Sequence, residues 1–293
     1  MSTTMISENE NVWDGERLET KIYDEYTVEH LHRYAVAAEL IQGKNVLDLA
    51  SGEGYGSNLM AKFANSVIGV DISEEAISHA RKKYKKENLK FLQGSAAKVP
   101  IESSSIDVVV SFETIEHHDM HEEMMMEIKR VLKSDGLLVM SSPDKLNYSD
   151  IPGQNNPYHI KELYFEEFKE LIEKYFKNNI FLLQKLVYGS LIIPDSHYTD
   201  FTGYSGSYDF IESFRNIKDP VYDICIASEA QLDMFGASFF DGKKAFDRLL
   251  TCREIQTEAL IKSTFSYKIG RGFTYPLRFL RDAFIAVVTN VRT

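Results

Sequence analysis

Between Val46 and Asp71 the chain reads VLDLASGEGYGSNLMAKFANSVIGVD, and no other stretch restricts its fold as strongly. Val46-Leu47-Asp48-Leu49 is a short, mostly apolar run of the kind that makes a buried parallel strand. Three alternating glycines follow, Gly52, Gly54 and Gly56, then a helical pattern on Leu59, Met60 and Phe63. A second apolar run, Val67-Ile68-Gly69-Val70, closes on Asp71. This is one βαβ unit with a glycine-rich first turn. Such a turn lets backbone approach a ligand and offers the free N–H groups of a helix start. A carboxylate about twenty residues past the first glycine suits the two hydroxyls of a ribose.

The rest of the chain repeats that alternation. Apolar positions from Tyr26 to Gln42 have helical spacing and stop at Gly43, an entry helix on which His30, His32, Arg33 and Tyr34 are expected to serve surface and packing. The alternative for that helix is that Arg33 or Tyr34 reaches a cofactor. Ser73 caps a further helix with Glu74 and Glu75 in its first turn and a solvated basic end from Arg81 to Lys86. Leu89–Leu92, Ser104–Ser111 and Leu137–Met140 read as strands, and His121–Leu132 as a helix whose methionine triplet is core. Strands alternating with helices predict an α/β, doubly wound sheet. Beyond Pro143 come a loop, an amphipathic helix over Lys161–Phe176, a strand over Ile180–Val187, an irregular insertion or lid over 188–220 and a strand over Val221–Ala227. The expected division is 1–43 as a loose N-terminus plus entry helix, 44–240 as the ligand-binding domain, and 241–293 as a helical C-terminal extension.

Charge narrows the partners. With 33 basic against 44 acidic residues the chain carries −11, which opposes nucleic acid as the main partner. Two cysteines, Cys225 and Cys252, give no disulfide framework, so a reducing cytoplasm is the expected location. The first residues lack the basic start and apolar core of a signal peptide, and no apolar run is long enough to span a bilayer. The end, PLRFLRDAFIAVVTNVR, is amphipathic; it is expected to pack on the domain or on a second subunit, with peripheral membrane contact as the alternative.

The glycine spacing is G-x-G-x-G, and Asp48 lies inside the first strand just before it. A carboxylate there would repel a pyrophosphate but tolerate an ammonium and a sulfonium, which favours S-adenosylmethionine over NAD. Four ordered blocks, VLDLASGEGYGS, VIGVDIS, FLQGSAAKVPIESSSIDVVVSFETIEH and IKRVLKSDGLLVMSSP, resemble class I S-adenosylmethionine-dependent methyltransferases. The resemblance implies a seven-stranded Rossmann-like sheet whose last strand is antiparallel. It implies that Asp48, Gly52 and Gly54 frame the methionine and ribose portions, with Ser51 and Tyr55 beside them. Asp71 would hold the ribose hydroxyls next to Ile72, the Gly94-Ser95-Ala96 turn would meet the adenine, and Ser111 would complete the set. Many members of the family have Asp where this chain has Ser95.

Chemistry is expected just after the fourth strand, where ligands of such sheets bind. Glu113, Glu116 and His117 stand there at i, i+3 and i+4, so a helical turn would put them on one face. Facing carboxylates need a cation, and oxygen ligands plus imidazole suit Mg²⁺ or Mn²⁺, with Fe²⁺ or Zn²⁺ as alternatives. The E-x-x-E-H pattern resembles metal-dependent O-methyltransferases, among them ubiquinone and small-RNA 2′-O-methyltransferases. The latter take a further histidine from a downstream loop, a position that His159 matches. Without a metal, His117 would be a general base. His118 and His121 are expected at the surface. HLHRY, ASGEGYGS, SFETIEH and NPYHIKEL together also resemble bacterial methyltransferases of surface-polysaccharide and nucleotide-sugar pathways, which implies a sugar or glycan acceptor. Tyr198, Tyr204, Tyr208 and Phe210 are candidates for stacking on its rings, and an oligomer is the remaining partner expectation.

Overall fold

A computed structural model describes residues 25–187, 189–195, 203–206, 211–214, 217, 219–233, 235–242, 255, 257 and 259–263. The chain divides into two compact units, Met1–Gly242 and Lys243–Thr293. In the first, helix α1 (Glu25–Leu40) precedes β1 (Asn45–Leu49), α2 (Tyr55–Met60), β2 (Ser66–Asp71), α3 (Glu74–Lys83) and β3 (Leu89–Gln93). Then come β4 (Ile106–Ser111), a 3₁₀ turn (Ile115–His117), α4 (His121–Val131), β5 (Leu132–Pro143), a π-helical turn (Leu146–Asp150) and α5 (Phe165–Tyr175). The unit continues with β6 (Asn178–Val187), β7 (Gly189–Pro194), β8 (Gly203–Gly206), β9 (Ile211–Phe214), β10 (Tyr222–Ser228) and β11 (Ser238–Phe240).

The main sheet runs β11-β7-β6-β10-β5-β4-β1-β2-β3. Strands β1 to β5 are parallel to their neighbours, and β10 lies antiparallel between β5 and β6. Seven of these strands reproduce the expected sheet. Of the other two, β7 corrects the expectation of an irregular insertion over 188–220, and β11 lies beyond that stretch. Leu191-Ile192-Ile193 is apolar enough to pair along β6, so β7 extends the edge and β11 extends it again. A separate hairpin, β8–β9, takes up more of the insertion.

Sheet residues alternate between two apolar layers, as the two-residue strand period requires. One layer packs Val46, Val108 and Val110 against Tyr34, Ile41, Met60 and Ile77. The other packs Leu47, Leu49 and Val109 against Met124, Met125, Ile128, Phe168 and Ile172. Met124 and Met125 are therefore core, whereas Met126 points to solvent, so the methionine triplet is split by helix geometry. The Ser73 hydroxyl accepts from Ala76 N (3.2 Å) to cap α3, and Glu167 Oε2 accepts from Tyr164 N (3.0 Å) at the start of α5. In the second unit residues 259–263 are helical. Cys252, Tyr198, Tyr208, Phe210 and the amphipathic terminal stretch lie outside the described residues. Among the described residues no helix is long and apolar enough to cross a membrane.

Candidate functional site

The turn after β1 is shaped by three consecutive constraints. Ala50, Gly52 and Gly54 all take left-handed backbone, with φ of 64°, 51° and 84°. A Cβ on Gly52 would meet nothing within 4 Å, so this residue faces open space. A Cβ on Gly56 would fall 2.0 Å from the Tyr34 ring, so Gly56 serves the packing of α1 on α2 instead of a ligand. Asp71 ties the turn to β2: its Oδ2 accepts from Gly52 N (2.8 Å) and its Oδ1 from Ser73 N (2.9 Å). That fixes the carboxylate at the mouth of the turn, with Ile72 exposed beside it.

Asp48 is buried under this turn, and Ser57 Oγ donates to it at 2.5 Å. Burial pushes its pKa up to about 7, with Asp71 adding repulsion. Asp48 is therefore not the fixed negative charge that its place in the first strand suggests. Its environment makes it a carboxyl that ionises at neutral pH, and a ligand ammonium beside it would favour the ionised form. Ser51 Oγ is buried and has no hydrogen-bond partner. A buried polar group is ordinarily hydrogen-bonded, so this hydroxyl beside the open Gly52 is a candidate contact for a polar ligand. Tyr55 donates to or accepts from His30 Nδ1 (2.9 Å), and Ser111 Oγ donates to Leu49 O (3.2 Å), so both are structural partners within the first unit. Ser95 Oγ accepts from Ala97 N (3.2 Å), shaping the turn that carries half-buried Ala96.

On the other side of the carboxyl edge, the expected single face of Glu113, Glu116 and His117 does not form. Glu113 has φ 52°, and only Ile115–His117 wind into a turn. The left-handed residue breaks the helix and sends the Glu113 side chain towards α1. There its Oε1 accepts from Ser141 Oγ (2.7 Å) and lies 3.8 Å from Arg33 Nη1. Glu113 is therefore separated from the metal-type cluster that the geometry assembles. That cluster is Glu116, His117 and His159, whose potential ligand atoms all lie within 4.8 Å of one another.

Both histidines are oriented from behind. His117 Nδ1 sits 3.1 Å from the Tyr158 carbonyl and His159 Nδ1 2.5 Å from Glu162 Oε1. Each Nδ1 therefore donates, and in the neutral ring this tautomer leaves Nε2 as the ligand atom. This is the outer support that metal-ligating imidazoles use. Ile160 N and Lys161 N donate to the Glu116 carbonyl (2.8 and 3.0 Å), fastening the β5–α5 connector to the turn. One carboxylate with two imidazoles suits Mn²⁺, Fe²⁺ or Zn²⁺ better than Mg²⁺, which prefers oxygen throughout.

Arg33 is expected in packing or at the cofactor. It is fully buried, donates from Nη1 to Gln184 Oε1 (2.8 Å) and stacks 4.6 Å over Tyr222. His121, expected at the surface, is buried and holds the His118 carbonyl through Nε2 (2.8 Å). Glu162 had a legible signal, standing three residues after His159 at the approach to α5, whereas Ser57 and Ser141 had none.

A family model described as "Methyltransferase domain" matches residues 47–140. A probable S-adenosylmethionine-dependent methyltransferase of Mycolicibacterium smegmatis is 36% identical over 143 residues, covering 48% of this chain and 54% of the relative. Its counterpart in Mycobacterium tuberculosis strain H37Rv is 37% identical over 142 residues, covering 47% and 50%. The chain thus spans about half the length of the curated relatives it matches. Among solved structures, a SAM-dependent methyltransferase described as a possible histamine N-methyltransferase, from Thermotoga maritima, superposes with a TM-score of 0.51 at 17% identity, covering 70% of this chain and 92% of that one; this likeness concerns the fold. The matched segment runs from β1 into β5 and contains the glycine turn, Asp71 and Glu113 to His117, and over it the chain is similar to a methyltransferase domain.

Proposed function

We propose that the chain transfers a methyl group from S-adenosylmethionine to a hydroxyl of a sugar or glycan, assisted by a divalent ion. The observation that carries this reading is the Glu116–His117–His159 cluster with both Nδ1 atoms tied back. The donor side rests on Asp48, Ser51, Gly52 and Asp71. Asp71 is placed to accept from ribose hydroxyls, Ser51 Oγ offers an unused polar group, and Asp48 offers a carboxyl to an ammonium. A divalent ion held by Glu116, His117 and His159 would supply Lewis acidity at the acceptor oxygen. A vicinal diol, as a sugar presents, offers two adjacent oxygens to such a site. The acceptor oxygen bonds to the methyl carbon as the carbon–sulfur bond breaks, releasing S-adenosylhomocysteine and one proton. Orientation supplies much of the rate in such a displacement, and the buried carboxylate and tethered imidazoles provide it without reorganisation.

The second reading is favoured by His117, whose partly exposed ring holds Nε2 3.7 Å from Glu116 Oε1. In it His117 is a metal-free base that takes the hydroxyl proton of a quinone or other small molecule. An RNA 2′-hydroxyl is disfavoured by the charge of −11. The deciding experiment follows labelled methyl transfer to glycans, nucleotide sugars, catechols and RNA before and after EDTA. Loss of transfer to glycans on chelation, restored by Mn²⁺, is expected. Full activity of the chelated enzyme with an inactive His117→Ala variant would establish the base instead.

A further inference from the structure

The connector between β5 and α5 is internally fastened yet exposes several large apolar side chains among its polar ones. Its ends are joined by Lys145 N donating to Leu163 O (3.0 Å), and Ser149 Oγ donates to Glu162 Oε1 (2.8 Å). The Tyr164 hydroxyl donates to Asp150 Oδ2 (2.9 Å), and Tyr148 stacks on His159 at 5.2 Å. A loop with so many internal bonds has already lost much of its freedom. It nonetheless displays Leu146, Ile151, Tyr158, Ile160 and Tyr164 to solvent, with Ile151 and Ile160 66% and 67% exposed. Half of the exposed large apolar side chains described in residues 25–242 stand on this one connector. Scattered apolar side chains need no explanation, but such a concentration marks a binding surface.

The connector borders the candidate site through its backbone. Tyr158 supplies the carbonyl that holds His117, Ile160 donates its N–H to Glu116, and His159 between them belongs to the cluster. A ligand whose hydroxyl reaches Glu116, His117 and His159 therefore lies beside Tyr158 and Ile160. We propose that the acceptor is amphiphilic, its hydroxyl-bearing head at the cluster and an aliphatic chain laid on the 146–164 connector. This deepens the methyl-transfer reading above and rests on it for the head group only. Each methylene removed from water adds to affinity, so the chain and not the head would dominate binding.

The test uses the full chain with S-adenosylhomocysteine, and two neutral glycosides, methyl glucoside and monomeric dodecyl maltoside. Titration calorimetry gives affinities, and amide hydrogen exchange locates the contact. Dodecyl maltoside is expected to bind on the order of ten-fold or more tighter and to slow exchange across residues 146–164. An Ile151→Ser/Ile160→Ser double variant changes two exposed side chains; it is expected to keep its S-adenosylhomocysteine affinity and lose the advantage of the chain-bearing glycoside. Equal affinities, protection on another face, or a double variant that binds like the parent would overturn the proposal. So would protection of the connector by phosphatidylcholine vesicles with none from the monomeric glycoside, which would assign the surface to a bilayer. Failure to bind S-adenosylhomocysteine would instead overturn the methyl-transfer reading, because the exchange result for the glycoside is read independently.

Discussion

Buried acids govern the behaviour of this molecule at single positions. Asp223 lies on β10, pairs in register with Ser142 and Leu183, and is 1% exposed with neither carboxylate oxygen hydrogen-bonded. Burial pushes its pKa up to about 8, and repulsion from Asp144 and Glu113 adds to that. In the unfolded chain the same group ionises near its ordinary value of about 3.9. The folded state therefore holds an extra proton between those limits, and stability falls as pH rises from about 4 to 8, then levels. Asp223→Asn removes the titration while keeping the shape. Denaturant unfolding is expected to find the variant near the parent at pH 4 and more stable by roughly 2–4 kcal/mol at pH 8.5. Parallel pH profiles for the two proteins would show that Asp223 is neutralised by some other route. Ser51 gives a complementary expectation. Its orphaned hydroxyl contributes nothing to the ligand-free fold, so Ser51→Ala should leave the melting temperature unchanged. The same change should weaken S-adenosylhomocysteine several-fold by calorimetry, about the worth of one hydrogen bond. Unaltered affinity would remove Ser51 from the cofactor site.

At the level of elements, the parts read correctly from sequence are those whose signals are periodic. Strands β1 to β5, and helices α1, α3, α4 and α5, lie within a few residues of their expected spans because burial on one or both faces is written as a repeat. The glycine turn was legible as a turn, but the three glycines looked equivalent, and only their neighbours distinguish them. Gly52 faces open space, while Gly56 yields room to the Tyr34 ring. Glu113, Glu116 and His117 failed as a single face because a left-handed φ is a tertiary outcome, held here by Arg33 and Ser141 from distant elements. β7 was hidden because a short apolar run becomes a strand only when an edge is there to accept it. The packing of α1 on α2 gives the prediction of this scale. Gly56→Ala places a methyl group into the Tyr34 ring, and overpacking of that kind costs about 1–3 kcal/mol. A Gly56→Ala/Tyr34→Leu double variant should recover part of the loss, measured by urea unfolding. Independent, additive effects would place the clash elsewhere.

Over the whole molecule the dominant quantity is the charge of −11, and the candidate site adds to it locally. Asp71, Glu116 and Asp144 are buried towards the carboxyl edge of the sheet, with Arg33 as a buried cation beside Glu113, while Asp48 and Asp223, pushed up to about 7 and about 8 by burial, add less at neutral pH. A field of that sign repels an anionic acceptor on approach and leaves a neutral one unaffected. The repulsion is screened by salt, since the Debye length falls from about 30 Å at 0.01 M to about 8 Å at 0.15 M. An anionic nucleotide sugar should therefore show kcat/KM rising several-fold across that range. A neutral glycoside, whether free or carrying an aliphatic chain, should show a flat profile. The two acceptor classes are thus separable without a structure of either complex. If the nucleotide sugar is the better acceptor even at low salt, a local cationic patch must override the overall field, and a neutral head group would be the wrong choice.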